Sequence, residues 1–153
     1  MAPERTLILG VGNPLMGDDG AGIEAVRMLA EANLPANITV KDAATPGWAL
    51  VEWIKDWPSV VIVDAMQMGL KPGEWQCFDA RDVRFTSSEG AISLHDSDLA
   101  GGLALAEALD LLPPQLTFYG IEPESTEHGM LLSPAVSANL PELVKYILNK
   151  YAM

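Results

Sequence analysis

"TLILGVGNPLMGDDGAG", residues 6–22, joins a short apolar run to a glycine-rich turn that carries two adjacent acids. A continuously apolar run that ends at glycines is typical of a strand buried on both faces. The residues after the acids, "GAGIEAVRMLAEANL", place apolar side chains mostly on one face of a helix, which Pro35 ends. The stretch therefore predicts a strand, a tight turn and a helix in succession.

The rest of the chain continues this alternation of strands and helices. Further strands are predicted in "NITVKDA", "SVVIVDAM", "WQCFDA" and "QLTFYGIE", and helices in "GWALVEWIKDW", "DSDLAGGLALAEALDLL" and "SPAVSANLPELVKYILNKYA". Such alternation predicts an α/β sandwich over a mainly parallel sheet. The fourth strand follows the third through the short Pro-Gly turn "GLKPGE", so we expect it to be antiparallel.

Size and charge narrow the class of protein. A chain of 153 residues predicts a single domain, 1–153. The net charge of −12 and the isoelectric point near 4.3 disfavour binding to nucleic acid or to an anionic membrane. No signal peptide or apolar run long enough to span a bilayer is recognisable, which predicts a cytoplasmic protein. Cys77, the only cysteine, excludes a disulfide within one chain and is expected in the core.

Polar residues collect where the predicted strands end. In open α/β sheets the functional crevice lies beyond the carboxyl ends of the parallel strands. The residues placed near that edge are Asn13, Asp18, Asp19, Asp42, Asp64, His95, Glu122, Glu124 and His128.

The glycine-rich turn is a poor match for a dinucleotide site. In "GVGNPL", Leu15 stands where the fingerprint needs a third small residue, and Pro14 lacks the N–H that would contact a phosphate. Asp18 and Asp19 would repel a pyrophosphate. Asp42 could imitate the acid that binds ribose, but that feature alone is a weak signal. A nicotinamide or flavin site is therefore disfavoured.

A metal site accounts for the same acids better. Asp19, Asp64 and His95 would offer two carboxylates and an imidazole from separate loops, a ligand set that suits a divalent transition ion and leaves a position open. Structural roles remain open alternatives, because an acid can cap a helix N-terminus and a loop histidine can simply be solvated. No G-x-S-x-G or H-E-x-x-H motif is present.

Four motifs together resemble the [NiFe]-hydrogenase maturation endopeptidases, nearly from end to end. They are "LGVGNPLMGDDGAG", "VVIVDAMQMGLKPGEW", "SLHDSDLA" and "YGIEPEST". The resemblance implies a three-layer α/β/α sandwich with five strands in the order 2-1-3-5-4 and strand four antiparallel. It also implies a hydrolase, conventionally classed as an aspartic-type endopeptidase. Such an enzyme removes a C-terminal extension from the hydrogenase large-subunit precursor after nickel insertion, which activates the hydrogenase.

The resemblance also implies the roles of particular residues. Asp19, Asp64 and His95 would bind the nickel held by the precursor, with zinc or cadmium as substitutes in vitro. Asp19 and Asp64 would be the catalytic acids, either directly or through a metal-activated water. We expect Asp18 to point away from this cleft or to cap the first helix. The alternatives in other classes are a non-catalytic metal-sensing chaperone that binds the precursor tail, and a nucleotide-binding fragment.

One segment departs from the family pattern. Where family members often carry D-G-G-[TS] after strand two, this chain has "DAAT", residues 42–45. Alanine adopts positive φ angles less readily than glycine, so we expect a differently shaped loop beside Asp42.

Overall fold

The computed structural model describes residues 4–82, 93–94 and 97–152. Its strands are β1 (Thr6–Val11), β2 (Ile38–Ala44), β3 (Ser59–Gln67), β4 (Trp75–Asp79), β5 (Ser93–Leu94) and β6 (Gln115–Ile121). Its helices are α1 (Ala21–Ala30), α2 (Leu50–Ile54), α3 (Ser97–Ala108) and α4 (Pro134–Tyr151). Short 3₁₀ turns, Gly17–Gly20 and Gly47–Ala49, lead into α1 and α2. Among the helices of these ranges, none combines the length and apolar character that a bilayer span requires.

The five longer strands lie in the order β2-β1-β3-β6-β4. Neighbouring strands are parallel except β4, which runs antiparallel to β6. The two-residue strand β5, which the sequence did not predict, pairs with the end of β3. When β5 is left out of the numbering, the predicted order 2-1-3-5-4 with an antiparallel fourth strand is confirmed.

The central strands are buried on both faces. All of β1 is buried, and so is β3 up to its last residue. Side chains alternate between the two faces of the sheet, so Leu9 packs with α2 and α3 while Ile8 packs with α1 and α4. The result is the predicted three-layer α/β/α sandwich, in which each face of the sheet contributes to a separate apolar core.

Helix α1 begins in direct contact with the sheet because of two glycines. A Cβ atom at Gly22 would lie 2.2 Å from Val63 O and 2.6 Å from Val11 O. A Cβ atom at Gly10 would lie 2.3 Å from Gly22 O. Only residues without a side chain allow so close an approach of helix and strand backbones. This contact fixes the position of the turn between β1 and α1, which carries the acid pair.

Candidate functional site

The candidate site lies at the carboxyl edge of the parallel strands. Strands β1, β3 and β6 run side by side in one direction, so their carboxyl ends share this edge. Asp64 pairs with Gly120 of β6, and β3 continues beyond it to Gln67. The turn after β1 therefore lies beside the end of β3.

Gly12 brings the turn and β3 together. Its φ angle is 138°, a value that side chains strongly disfavour. A Cβ atom here would lie 1.9 Å from Asp19 O and 3.6 Å from Asp64 Oδ1. The backbone of Asp19 and the carboxylate of Asp64 thus both lie close to Gly12. The structure places Asp19 and Asp64 on adjacent elements of one edge.

Asp19 is held by the turn that carries it. Its Oδ2 accepts a hydrogen bond from Asn13 N at 2.9 Å, and its own N donates to Met16 O at 3.1 Å. Asn13 Oδ1 in turn accepts from Leu15 N at 2.9 Å. The side chain of Asp19 remains half-buried, so it lies where solvent or a substrate can reach it.

Asp64 lies deeper, within the sheet. Its side chain is 0% exposed, and its Oδ1 accepts from Ala65 N at 2.8 Å. A carboxylate at this depth needs compensation from donors or a cation, because desolvation of the charged form is costly. A buried acid inside an otherwise apolar strand is therefore better explained by a role in binding or catalysis than by a role in packing.

Asp18 faces away from its neighbour. It does not cap α1, whose N-cap is Gly20 with no side-chain hydrogen bond. Its buried carboxylate instead accepts hydrogen bonds from the loop between β6 and α4, residues 122–133, including one from Ser133 N at 2.7 Å. The sequence offered no signal for this partner, because Ser133 lies 115 positions further along the chain.

Glu122 has a structural role at the same edge. Its Oε1 accepts from Met68 N at 2.7 Å and from Leu70 N at 3.0 Å, and so fixes the turn between β3 and β4. Glu124 and His128 are both exposed on the loop that follows β6.

The loop beside Asp42 includes an alanine with a positive φ angle. Ala44 adopts a φ of 50° despite its side chain, and its O accepts from Gly12 N at 2.9 Å. Asp42 Oδ1 accepts from Ala44 N at 2.9 Å, which supports the left-handed conformation locally. The exposed Asp42 therefore shapes this loop by a hydrogen bond within it.

The prediction that Cys77 belongs to the core was wrong, because its side chain is exposed. Strand β4 lies at the edge of the described sheet, and Phe78, on the face opposite to Cys77, packs against the apolar core. Burial of an edge strand cannot be read from its apolar content alone.

The third predicted ligand, His95, lies outside the described residues. Within the ranges that are described, no three histidine, cysteine or acidic side chains are grouped so that they could hold a metal ion. Asp19 and Asp64 are the two predicted ligands that the structure describes.

Cavity size does not single out this edge. A cavity of about 620 Å³ lies at the opposite edge, beside Ser59 and Gln115 where β3 and β6 begin. The cleft at the carboxyl edge, lined by Gln67 and residues 122–126, measures about 310 Å³. We therefore place the site from its acidic residues and from its position at the carboxyl ends of the strands, where the functional crevice of an open α/β sheet lies.

Comparison with known proteins identifies relatives along most of the chain. The family described as "Hydrogenase maturation protease" matches residues 23–150. The hydrogenase expression/formation protein HupD of Rhodobacter capsulatus is 32% identical over 140 residues, 90% of this chain and 67% of that protein. The hydrogenase 2 maturation protease of Escherichia coli is 30% identical over 148 residues, 94% of this chain and 88% of that protein. The chain thus spans about two thirds of the length of HupD proteins.

Solved structures agree with these relatives. The hydrogenase maturating endopeptidase HybD from E. coli has a TM-score of 0.83 at 30% identity, over 95% of this chain and 91% of that one. The [NiFe] hydrogenase maturation protease HybD from Thermococcus kodakarensis has a TM-score of 0.79 at 35% identity, over 97% of this chain and 99% of that one. This chain belongs to the hydrogenase maturation protease family and is a hydrolytic enzyme of that family.

Proposed function

We propose that this enzyme is a nickel-dependent endopeptidase that removes the C-terminal extension of a [NiFe]-hydrogenase large-subunit precursor after nickel insertion. The observation that carries the proposal is that the backbone of Asp19 and the carboxylate of Asp64 both lie close to Gly12 at the carboxyl edge. The family membership supplies the class of substrate.

In this proposal the nickel is part of the substrate. Asp19, Asp64 and His95 complete the coordination of an ion that the precursor already holds, and cleavage then depends on correct loading. Carboxylate oxygens and an imidazole nitrogen fit a divalent transition ion by donor type, and zinc or cadmium would fit the same set in vitro. His95 enters this set through the resemblance of "SLHDSDLA" to the family motif.

The two acids differ in what they can do. Asp19 is half-buried and Asp64 is fully buried, so water reaches Asp19 more readily. We assign Asp19 the role of general base toward the attacking water, and Asp64 that of a buried ligand whose charge attracts the cation. A bound metal ion would supply polarisation of the scissile carbonyl or a more acidic water. With these two acids at its site, the proposed activity would be that of an aspartic-type endopeptidase.

We propose a cytoplasmic location for this reaction. The exposed thiol of Cys77 supports it, because an unpaired surface cysteine suits a reducing compartment.

The proposed ligand set predicts how free metal should bind. Ni²⁺ at pH 7.5 should raise the melting temperature of the wild type more than that of His95→Ala. Lowering the pH to 5.5 should weaken Ni²⁺ binding by about tenfold, because a free imidazole is protonated below pH ~6.5 and cannot then coordinate. Calorimetric titration at both pH values measures this.

His128→Ala is the matched control, since His128 is the second of two histidines and is exposed on the loop after β6. It should bind Ni²⁺ like the wild type. Equal affinities at the two pH values, or equal losses in His95→Ala and His128→Ala, would remove His95 from the ligand set.

A further inference from the structure

Asp18 is a buried carboxylate that the proposed ligand set does not use. Its side chain is 0% exposed, and in the described part of the chain no cationic side chain forms an ion pair with it. Four donors compensate the charge: Glu124 N at 2.8 Å, Ser125 N at 3.3 Å, Ser133 N at 2.7 Å and Ser133 Oγ at 2.8 Å. Hydrogen bonds to a carboxylate are stronger than neutral ones. All four donors come from the loop between β6 and α4.

The backbone of the acid-pair turn strengthens the same attachment. Asp18 N donates to Ser125 O at 2.8 Å, and Gly17 N donates to Met130 O at 3.2 Å. Gly129 N donates back to Leu15 O at 2.7 Å. A Cβ atom at Gly17 would lie 2.6 Å from Ser125 O, so the two segments are in close contact. A loop without regular structure is thus fixed at both of its ends.

The loop held in this way presents apolar side chains beside the candidate site. Met130 and Leu131 are 51% and 87% exposed, next to Leu15, which is 65% exposed. Adjacent exposed apolar side chains on a fixed backbone are typical of a surface that contacts another chain. The two acids of the pair thus have different partners: the Asp18 carboxylate accepts hydrogen bonds from the loop, whereas the Asp19 carboxylate accepts one from Asn13 in its own turn.

We propose that Asp18 is a positioning residue that holds the β6–α4 loop in the conformation that contacts the precursor. The inference rests on the proposed function, because the precursor is the ligand it concerns. A loop ordered before binding loses less conformational entropy when the partner arrives. Loss of the Asp18 carboxylate should therefore weaken precursor binding and leave turnover of the bound precursor nearly unchanged.

Asp18→Asn tests this with little change of size. Both carboxylate oxygens of Asp18 accept from backbone N–H groups. In either orientation of the asparagine side chain, its NH₂ group would therefore face a donor and one of these hydrogen bonds would be lost. With nickel-loaded precursor, we expect KM to rise at least tenfold and kcat to stay within threefold of the wild type. The amides of Glu124 and Ser133 should exchange with solvent at least tenfold faster.

Two further variants separate positioning from general loss of stability. Ile147→Val destabilises the core of α4 about 20 Å along the helix from Ser133 and should leave KM unchanged. Ser133→Ala keeps the carboxylate and its backbone donors, so its KM should rise less than that of Asp18→Asn, by about twofold to threefold.

Three results would overturn the proposal: a KM for Asp18→Asn within twofold of the wild type, an equal rise in KM for Ile147→Val, or a loss confined to kcat. Failure of the wild type to cleave the precursor would instead reject the proposed function. In that case the dissociation constant for the precursor is measured instead of KM. It should rise at least tenfold in Asp18→Asn, and an unchanged dissociation constant would reject the inference. If Asp18→Asn does not fold, an unchanged KM in Ser133→Ala rejects it.

Discussion

Asp64→Asn should lower the rate of precursor processing by at least about 100-fold while the protein stays folded, because a metal ion held at the site would stabilise the transition state by several kcal/mol. Asparagine has nearly the same size and keeps an acceptor for Ala65 N, which donates to Asp64 Oδ1 at 2.8 Å. The substitution removes the negative charge that a dication would meet at this fully buried position. Initial rates with nickel-loaded precursor, together with thermal melting, measure the two effects separately.

The stability of Asp64→Asn should change by less than about 1 kcal/mol, since loss of a charged hydrogen bond is offset by the lower cost of burying a neutral group. Asp79→Asn is the matched control, because Asp79 is exposed on β4 and its ion pair with Arg81 contributes little to stability. Asp79→Asn should process precursor like the wild type. A rate for Asp64→Asn within threefold of the wild type would remove Asp64 from the active site.

Gly22→Ala should lower the free energy of unfolding by about 3 kcal/mol. The added Cβ would lie 2.2 Å from Val63 O and 2.6 Å from Val11 O, both backbone atoms of the central sheet. Because neither atom can move without disturbing a strand, α1 must shift as a whole. For a chain of this length the melting temperature should fall by roughly 6–12 °C.

Gly101→Ala provides the opposite case. Gly101 lies inside α3, and a Cβ atom there would meet nothing within 4 Å. The variant should gain about 0.4–1 kcal/mol, because alanine reduces the conformational freedom of the unfolded chain. Chemical denaturation of both variants checks the pair. Similar losses of unfolding free energy in Gly22→Ala and Gly101→Ala would mean that helix–sheet contact does not explain the glycine at position 22.

The fold could be predicted because its signals are local. The buried runs "TLILGV" and "SVVIVDAM" lie on central strands, where burial on both faces leaves no polar alternation. The short turn after β3 was enough to predict the antiparallel direction of β4. The exposure of Cys77 was not predictable in this way, since it depends on β4 having a neighbour on one side alone in the described sheet.

The candidate site was only partly accessible from sequence. Asp19 and Asp64 could be placed at one edge because strand ends determine that position. The different hydrogen-bond partners of Asp18 and Asp19 could not be predicted, because the partners of Asp18 lie 106 to 115 positions away along the chain. The left-handed Ala44 was missed for a related reason: its N donates to Asp42 and its O accepts from Gly12, and these hydrogen bonds support a conformation that residue preference alone disfavours.

We propose that this chain cleaves a hydrogenase precursor only when nickel is present. The most direct measurement is the mass of the precursor after incubation with the wild-type chain, with the precursor either nickel-loaded or nickel-free. We expect the loaded precursor to lose its C-terminal extension and the nickel-free precursor to remain intact. Equal cleavage of both would contradict nickel dependence, and binding without any shortening would show a metal-sensing chaperone in place of an endopeptidase.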